Sequence, residues 1–366
     1  MSNRLLFISS LPYRQILLGD LLSHFKATRQ SFFLLTKSRR LLHRGQAEKW
    51  LVKASYLPVL VPFLFVLGLP LIWLFFGLSF VFHLWRWQAN VVILSNWPEK
   101  IAFSAVANFL GKKVFWLEYP DRELAKFSFL IKFFYRHANK KINFIVFGNK
   151  SADNLRSLVG DKNISVILPA ANAHSLQQHS IFKNLAEQTN RGRFVVGSVL
   201  YGLPRDQAER LLSALSIAQT VCPNIELVII GAGKNRKQIQ WLARRMNLER
   251  RVWLAGPTSD FQRWIDQLDV YVVAAKRPSL EDSAWAITAM AAGLPVIAAQ
   301  KDWLAEVVND KTGVLADVND PEILARQLIA LQQDKDLCER LGKQAKLAAQ
   351  NFSFNNFVTS FTKLLS

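Results

Sequence analysis

Apolar residues come in short unbroken runs separated by longer stretches of mixed character, and that rhythm repeats along most of the chain. RLLFISS (4–10), SFFLLTK (31–37), NVVILSN (90–96), KKVFWLEY (112–119), INFIVFGN (142–149) and ISVILPA (164–170) are rich in β-branched and aromatic residues. Runs of that length and composition predict strands buried on both faces. Helix-like stretches at 98–110, 122–138 and 151–159 separate the later ones. Strands alternating with helices of this size imply right-handed βαβ crossovers and a parallel sheet. Residues 171–192 are polar and lack a strand signal, so a linker is expected there. The alternation then restarts with RFVVGSV (193–199), IELVIIGAG (225–233), RVWLAG (251–256), DVYVVAA (269–275), PVIAA (295–299) and GVLAD (313–317). Helices are expected at 205–221, 235–246 and 259–267, over AITAMAAG and WLAEVV, and near 321–333, 335–350 and 353–365. Two consecutive doubly wound α/β units follow, each with its ligand crevice at the carboxyl ends of the strands. The 366 residues also fit two domains better than one.

One segment breaks the rhythm. Residues 54–85 contain no Asp, Glu, Lys or Arg. As a helix the segment would run about 48 Å, longer than the roughly 30 Å of bilayer hydrocarbon. A spanning helix would put the strands at 4–10 and 31–37 on the other side of the membrane from those at 90–96 and 112–119, and one sheet cannot be assembled that way. We therefore expect a monotopic or re-entrant segment rather than a span or an unusually apolar core helix. Charge agrees with this. Residues 1–150 hold 21 Lys/Arg against 6 Asp/Glu, whereas residues 151–366 hold 25 against 21. Lys37, Arg39, Arg40, Arg44, Lys49 and Lys53 precede the segment and Arg86 follows it, so an anionic membrane surface is the expected partner of residues 37–87. Nucleic acid is not expected, because the aromatics lie in unbroken apolar runs rather than interleaved with Lys and Arg. Two cysteines and six scattered histidines give neither a disulfide framework nor metal-ligand spacing. The opening MSNRLLFISS lacks the basic-then-apolar order of a signal peptide, so an intracellular protein is expected.

The second half resembles the donor-binding domain of GT-B glycosyltransferases, specifically the large retaining family-four group. The residues that carry the resemblance are AMAAGLPVIAA (289–299), VIIGAG (228–233), RVWLAGPTSD (251–260), LDVYVVAA (268–275), EVVNDKTGVLADVNDPEILARQL (306–328) and ERLGKQAKLAAQNFSF (339–354). The similarity is good over 193–350 and weaker over 90–170. It implies two Rossmann-like domains facing across a cleft. The first, 1–170, would be an acceptor and membrane-associated domain, and the second, 193–350, would bind a nucleotide-sugar. A helix at 351–366 would return to the first domain.

Such enzymes carry two glutamates eight residues apart before the AMAAG-like stretch, one near the transferred sugar and one on the nucleotide ribose. Here those positions are Leu280 and Thr288, with Glu281 and Asp282 beside the first. A threonine lacks the paired acceptor oxygens of a carboxylate. The family's cations after the strand like VVGSV leave Arg205, with Arg210 further into the helix, in GSVLYGLPRDQAERLL (197–212). Its paired glycines before the Pro-Glu step correspond to Asp302 and Trp303. By resemblance, Gly197, Ser198, Arg205, Gly231, Gly233, Thr288 and Glu306 fall on the donor side, and Ser95, Asn96, Tyr119 and Asn149 on the acceptor side. Glu118, Glu281 and Asp282 are the catalytic candidates. Each has a plainer alternative. Glu118 would be a solvated or helix-capping carboxylate, Glu281 and Asp282 helix caps, Arg205 and Glu306 surface residues, and GAG a simple strand-to-helix turn.

The function the resemblance implies is transfer of a sugar from a nucleotide-sugar donor to a lipid-linked or cell-surface glycan. It would proceed with retention, without metal or other cofactor, at the cytoplasmic face of the membrane. The alternative is a catalytically degenerate GT-B protein that acts as a binding or scaffold partner in glycan assembly.

Overall fold

The computed structural model describes residues 4–9, 16–36, 78, 80–82, 84–120, 129–137, 141–160, 163–171, 192–200, 205–231, 233–256, 261–275, 278–300 and 303–365. The chain divides into two compact units, 1–168 with 357–366, and 169–356. Most of the expected linker and nearly all of the charge-free segment lie outside the described residues.

The first unit is a six-stranded sheet in the order β2-β1-β3-β4-β5-β6, parallel throughout. Its strands are β1 (Leu5–Ser9), β2 (Phe32–Thr36), β3 (Val91–Leu94), β4 (Lys113–Glu118), β5 (Ile142–Phe147) and β6 (Ile164–Ile167). The central strands are buried along their whole length, which is why they read as continuous apolar runs. The sheet reverses direction between β1 and β3, so its ligand-binding crevice is expected at the carboxyl ends of those two strands. Helix α1 (Ile16–Ala27) joins β1 to β2, α2 (Trp97–Phe109) joins β3 to β4, α3 (Phe129–Arg136) precedes β5 and α4 (Asn149–Val159) precedes β6.

Leu6, Ile8, Val92, Trp116 and Phe144 lie on one face of this sheet. They share a core with Phe80, Leu84, Trp87, Phe103, Tyr135 and Leu155, so the helical residues around 80–87, α2, α3 and α4 all cover that face. Phe7 points to the other face, where its ring meets Phe25 of α1 at 6.3 Å and Phe361 at 6.4 Å.

The second unit is again a six-stranded parallel sheet, ordered β12-β11-β10-β7-β8-β9. Its strands are β7 (Phe194–Val199), β8 (Ile225–Ile230), β9 (Val252–Leu254), β10 (Val270–Val272), β11 (Val296–Ala299) and β12 (Gly313–Ala316). Its direction reverses between β7 and β10. Helices α5 (Arg205–Val221), α6 (Arg236–Arg245), α7 (Phe261–Ile265), α8 (Leu280–Ala291), α9 (Pro321–Gln333) and α10 (Lys335–Ala349) complete it. The last helix, α11 (Phe354–Leu365), carries Phe361 to the first unit.

The doubly wound architecture expected from the alternation is the one observed. One local expectation fails. WLAEVV begins as a 3-10 turn, Trp303–Glu306, rather than as a regular helix. No described helix is long and apolar enough to cross a membrane.

Candidate functional site

In the second unit Ser198 lies near the carboxyl end of β7, and Gly231 and Gly233 just past that of β8, whereas Thr288 lies within α8. Ser198 lies on β7 with its hydroxyl buried, donating to the Val272 carbonyl of β10 at 2.9 Å. The hydroxyl thus bridges the two strands where the sheet reverses. Gly197 packs against Leu268, whose side chain would have to move to admit a Cβ there. Gly231 and Gly233 follow β8 with φ of +76° and +52°, in the left-handed region that a side chain disfavours. The Gly231 N–H donates to the Gly256 carbonyl at 3.0 Å. A turn from strand to helix therefore accounts for the GAG pattern locally.

Arg205 opens α5, and its side chain lies outside the described residues. One turn further in, Arg210 Nη1 donates to Asp206 Oδ2 at 2.9 Å. Its Nε and Nη2 are buried without a hydrogen-bond partner, and so is Oε1 of Gln207 on the turn between. A buried guanidinium edge with two unanswered donors is rare enough to need a cause. Here it sits in the second turn of the helix that follows the first strand of the sheet.

The two acids before AMAAG have different fates. Asp282 closes a capping box, with Oδ2 accepting from the Ser279 N–H at 2.6 Å and from the Ser279 hydroxyl at 2.7 Å. The plainer alternative thus describes Asp282. Glu281 beside it is buried. Thr288 is fully buried, with its hydroxyl donating to the Ala284 carbonyl at 2.7 Å, a bond made back along its own helix. Gly293 leaves α8 with φ of +87°, and Gly342 of α10 lies so close that a Cβ on it would come 2.1 Å from the Gly293 carbonyl oxygen. The AMAAG motif is therefore a tight helix exit against which α10 packs.

Trp303 is buried, and its Nε1 donates to the Pro278 carbonyl at 3.0 Å, tying the β11 connection to the loop that leads into α8. Asp302 lies outside the described residues, and Glu306 ends the 3-10 turn, partly buried. Tyr271 of β10 is fully buried. Burial holds its phenol well above the usual range, the charge of Asp282 pushes the same way, and a backbone hydrogen bond with Val199 opposes them.

In the first unit, Ser95, Asn96, Glu118, Tyr119 and Asn149 stand at or just past the ends of three neighbouring strands, β3, β4 and β5. Ser95 is buried and its N–H donates to the Ile8 carbonyl of β1 at 3.1 Å. Asn96 caps α2 in a capping box with Glu99. The Tyr119 ring lies 5.9 Å from that of Phe147, and Asn149 begins α4 after Gly148.

Glu118 differs from expectation. It is buried in an ion pair with Lys100, whose Nζ lies 2.6 Å from Oε1. The same ammonium donates to the Leu117 carbonyl at 2.7 Å, while the Tyr135 hydroxyl donates to Glu118 Oε2 at 3.3 Å. Lys100 Nζ also stands 5.7 Å from the Trp116 ring centroid. The plainer alternative of a solvated or capping carboxylate is therefore wrong. The physical reason is that Lys100, fully buried on α2, supplies the countercharge. Sequence reasoning missed Lys100 and Tyr135. The available signal was Lys100 in the first turn of a helix whose other residues are mostly apolar. Among the described residues, no group of His, Cys, Asp and Glu could hold a metal ion.

Residues 182–348 match the family described as glycosyl transferases group 1. A putative glycosyltransferase of Bacillus subtilis, EpsD, is 28% identical over 146 residues, 40% of this chain and 38% of that protein. The lipopolysaccharide core biosynthesis glycosyltransferase LpsE of Rhizobium meliloti is 24% identical over 146 residues, 39% of this chain and 42% of its own. These matches span less than half the length of either relative. Among solved structures, a glycosyltransferase from Rickettsia africae superposes with a TM-score of 0.77 at 15% identity, covering 99% of this chain and 97% of the other. Anabaena HepE in complex with UDP and glucose superposes with a TM-score of 0.76 at 16% identity, covering 99% of each. The fold is thus GT-B, two Rossmann-like units each built on a parallel sheet.

Proposed function

Because residues 182–348 form a group 1 glycosyltransferase domain within a GT-B fold, we propose that the protein transfers a sugar from a nucleotide-sugar donor to a lipid-linked or cell-surface glycan. Transfer proceeds with retention and without a metal ion. The single observation that carries the reading beyond the fold is the unanswered edge of Arg210 beside Gln207, near the start of α5. Two preorganised donors suit the diphosphate that develops charge as the glycosidic bond breaks. Arg205 adds a second cation on the same helix. With Asp282 committed to the cap of α8, Glu281 takes the role of the carboxylate near the transferred sugar. Glu118, paired with Lys100, is a hydroxyl acceptor on the other substrate's side. The protein works at the cytoplasmic face of the membrane, held by residues 37–87 on an anionic surface. Its functional context is envelope glycan assembly, a reading supported by its similarity to LpsE, a lipopolysaccharide core biosynthesis glycosyltransferase.

Purified protein incubated with UDP-, GDP- and ADP-sugars in the presence of membranes tests this. Transfer or slow hydrolysis of one donor is expected, and inertness toward the whole panel would argue against it.

A second reading is favoured by Thr288 and Trp303. The hydroxyl of the first is bonded to its own helix and the indole of the second closes onto Pro278. Under that reading the protein is a non-catalytic GT-B partner of another assembly enzyme. A stable complex with such an enzyme, in a protein that binds no nucleotide, would favour it.

A further inference from the structure

Helix α3 has the sequence FLIKFFYR and carries no acidic residue. Its orientation is fixed from inside. Tyr135 is fully buried, hydrogen-bonded to Glu118 and edge-on to Trp116 at 5.1 Å. With Tyr135 pinned, helical geometry turns positions 129, 132, 133 and 136 to one outer stripe. That stripe is Phe129, Lys132, Phe133 and Arg136, with Phe129 77% exposed and Phe133 and Phe134 nearly half exposed.

The neighbours on the same face of the sheet repeat the pattern. Trp87 and Leu84 face the core while Phe82 and Trp85 face out, Trp85 at 76% exposure. Phe109, at the end of α2, is 90% exposed. In the second unit the exposed aromatics Trp241 and Trp253 stand singly on separate elements. A soluble protein seldom leaves several aromatics exposed on adjoining helices without a partner.

Charge identifies the partner. Among the described residues between 78 and 150, the only acids are Glu99 and Glu118, and both are buried. Arg86, Lys113, Arg136, Lys141 and Lys150 are exposed in the same stretch. Clustered exposed aromatic rings flanked by cations suit the headgroup layer of an anionic bilayer. There the rings enter the interface while the Lys and Arg stems reach phosphate.

We infer that the outer face of α3 is a lipid-docking surface for anionic membranes, additional to the charge-free segment at 54–85, to which Phe82 and Trp85 belong. This rests on the membrane reading above and adds a second point of contact, which fixes the orientation of the first unit on the bilayer.

The test uses the full chain and vesicles of phosphatidylcholine with or without phosphatidylglycerol, compared by co-sedimentation. Wild type is expected to bind the anionic vesicles. The variant Phe129→Ser/Phe133→Ser/Phe134→Ser is expected to bind about 100-fold more weakly, losing apolar burial at three positions. Equal binding by the variant would overturn the docking face and leave the membrane reading standing. Failure of wild type to bind either vesicle would overturn both. If the triple variant does not fold, Phe133→Cys carrying an environment-sensitive dye gives a second readout. A blue shift on adding anionic vesicles supports the face, and an unchanged spectrum with bound protein refutes it.

Discussion

Replacing Lys100 by Met should destabilise the first unit sharply. The ammonium is fully buried, 2.6 Å from Glu118 Oε1 and 2.7 Å from the Leu117 carbonyl. Methionine fills most of the same volume, so the change isolates charge from packing. It leaves the Glu118 carboxylate buried with only the Tyr135 hydroxyl, a long 3.3 Å away. Removing one partner of a buried pair costs about 3–5 kcal/mol, because the survivor keeps its desolvation penalty without its countercharge. Loss of the cation from over Trp116 and Tyr135 adds roughly 0.5–1 kcal/mol. Differential scanning calorimetry reads the result. For a unit of this size each kcal/mol is worth about 2–4 °C, so the first unit's transition should fall by about 10 °C. The double variant Lys100→Met/Glu118→Leu removes both charges and should recover much of the loss, since a buried pair replaced by apolar groups is often neutral. If Lys100→Met melts within a degree of wild type, or if the two single losses simply add, the ion pair is not what holds β4 and α2 together.

Other consequences are more local. Gly342→Ala should destabilise the second unit by about 1–3 kcal/mol in urea titrations, because the new Cβ meets the backbone carbonyl of Gly293 rather than a movable side chain. Ser279→Ala should remove about 1 kcal/mol by opening the cap of α8. Burial, then the charges of Asp269, Glu339 and Asp334, pushes the Cys338 thiol up to about 11. Because this folded-state value lies above the unfolded one, the thiol's contribution is complete below pH 9. It is lost as pH rises toward 11, by roughly 1 kcal/mol after allowance for partial exposure. Cys338→Ala should flatten that part of the stability profile, and its absence from wild-type melts between pH 8 and 10.5 would contradict the assignment. The high thiol pKa also predicts slow alkylation of Cys338 at pH 8.

The strands were legible because a doubly wound sheet buries both faces, so NVVILSN and IELVIIGAG announce themselves as unbroken apolar runs. The helix exit at Gly293 was legible for a similar reason, since a φ of +87° admits little else. The cluster around Glu118 was not. Its members Lys100 and Tyr135 lie 18 and 17 positions away, on helices whose facing no local pattern gives. The capping box at Ser279 and Asp282 shows a different limit. The same acid fits a cap and a sugar-binding carboxylate, and only the hydrogen bonds to Ser279 decide for the cap. Ser198 and Thr288 were marked for the donor side by position. Their hydroxyls in fact bond to backbone carbonyls, which a sequence cannot report.

Calorimetric titration of the purified chain with UDP-, GDP- and ADP-sugars, beside the Arg210→Ala variant, reads whether this guanidinium holds a donor diphosphate. Stoichiometric binding of one nucleotide-sugar by wild type is expected, with a loss of about tenfold to a hundredfold in affinity when the guanidinium is removed. Absence of binding across the panel, or equal affinity in the variant, would contradict that role.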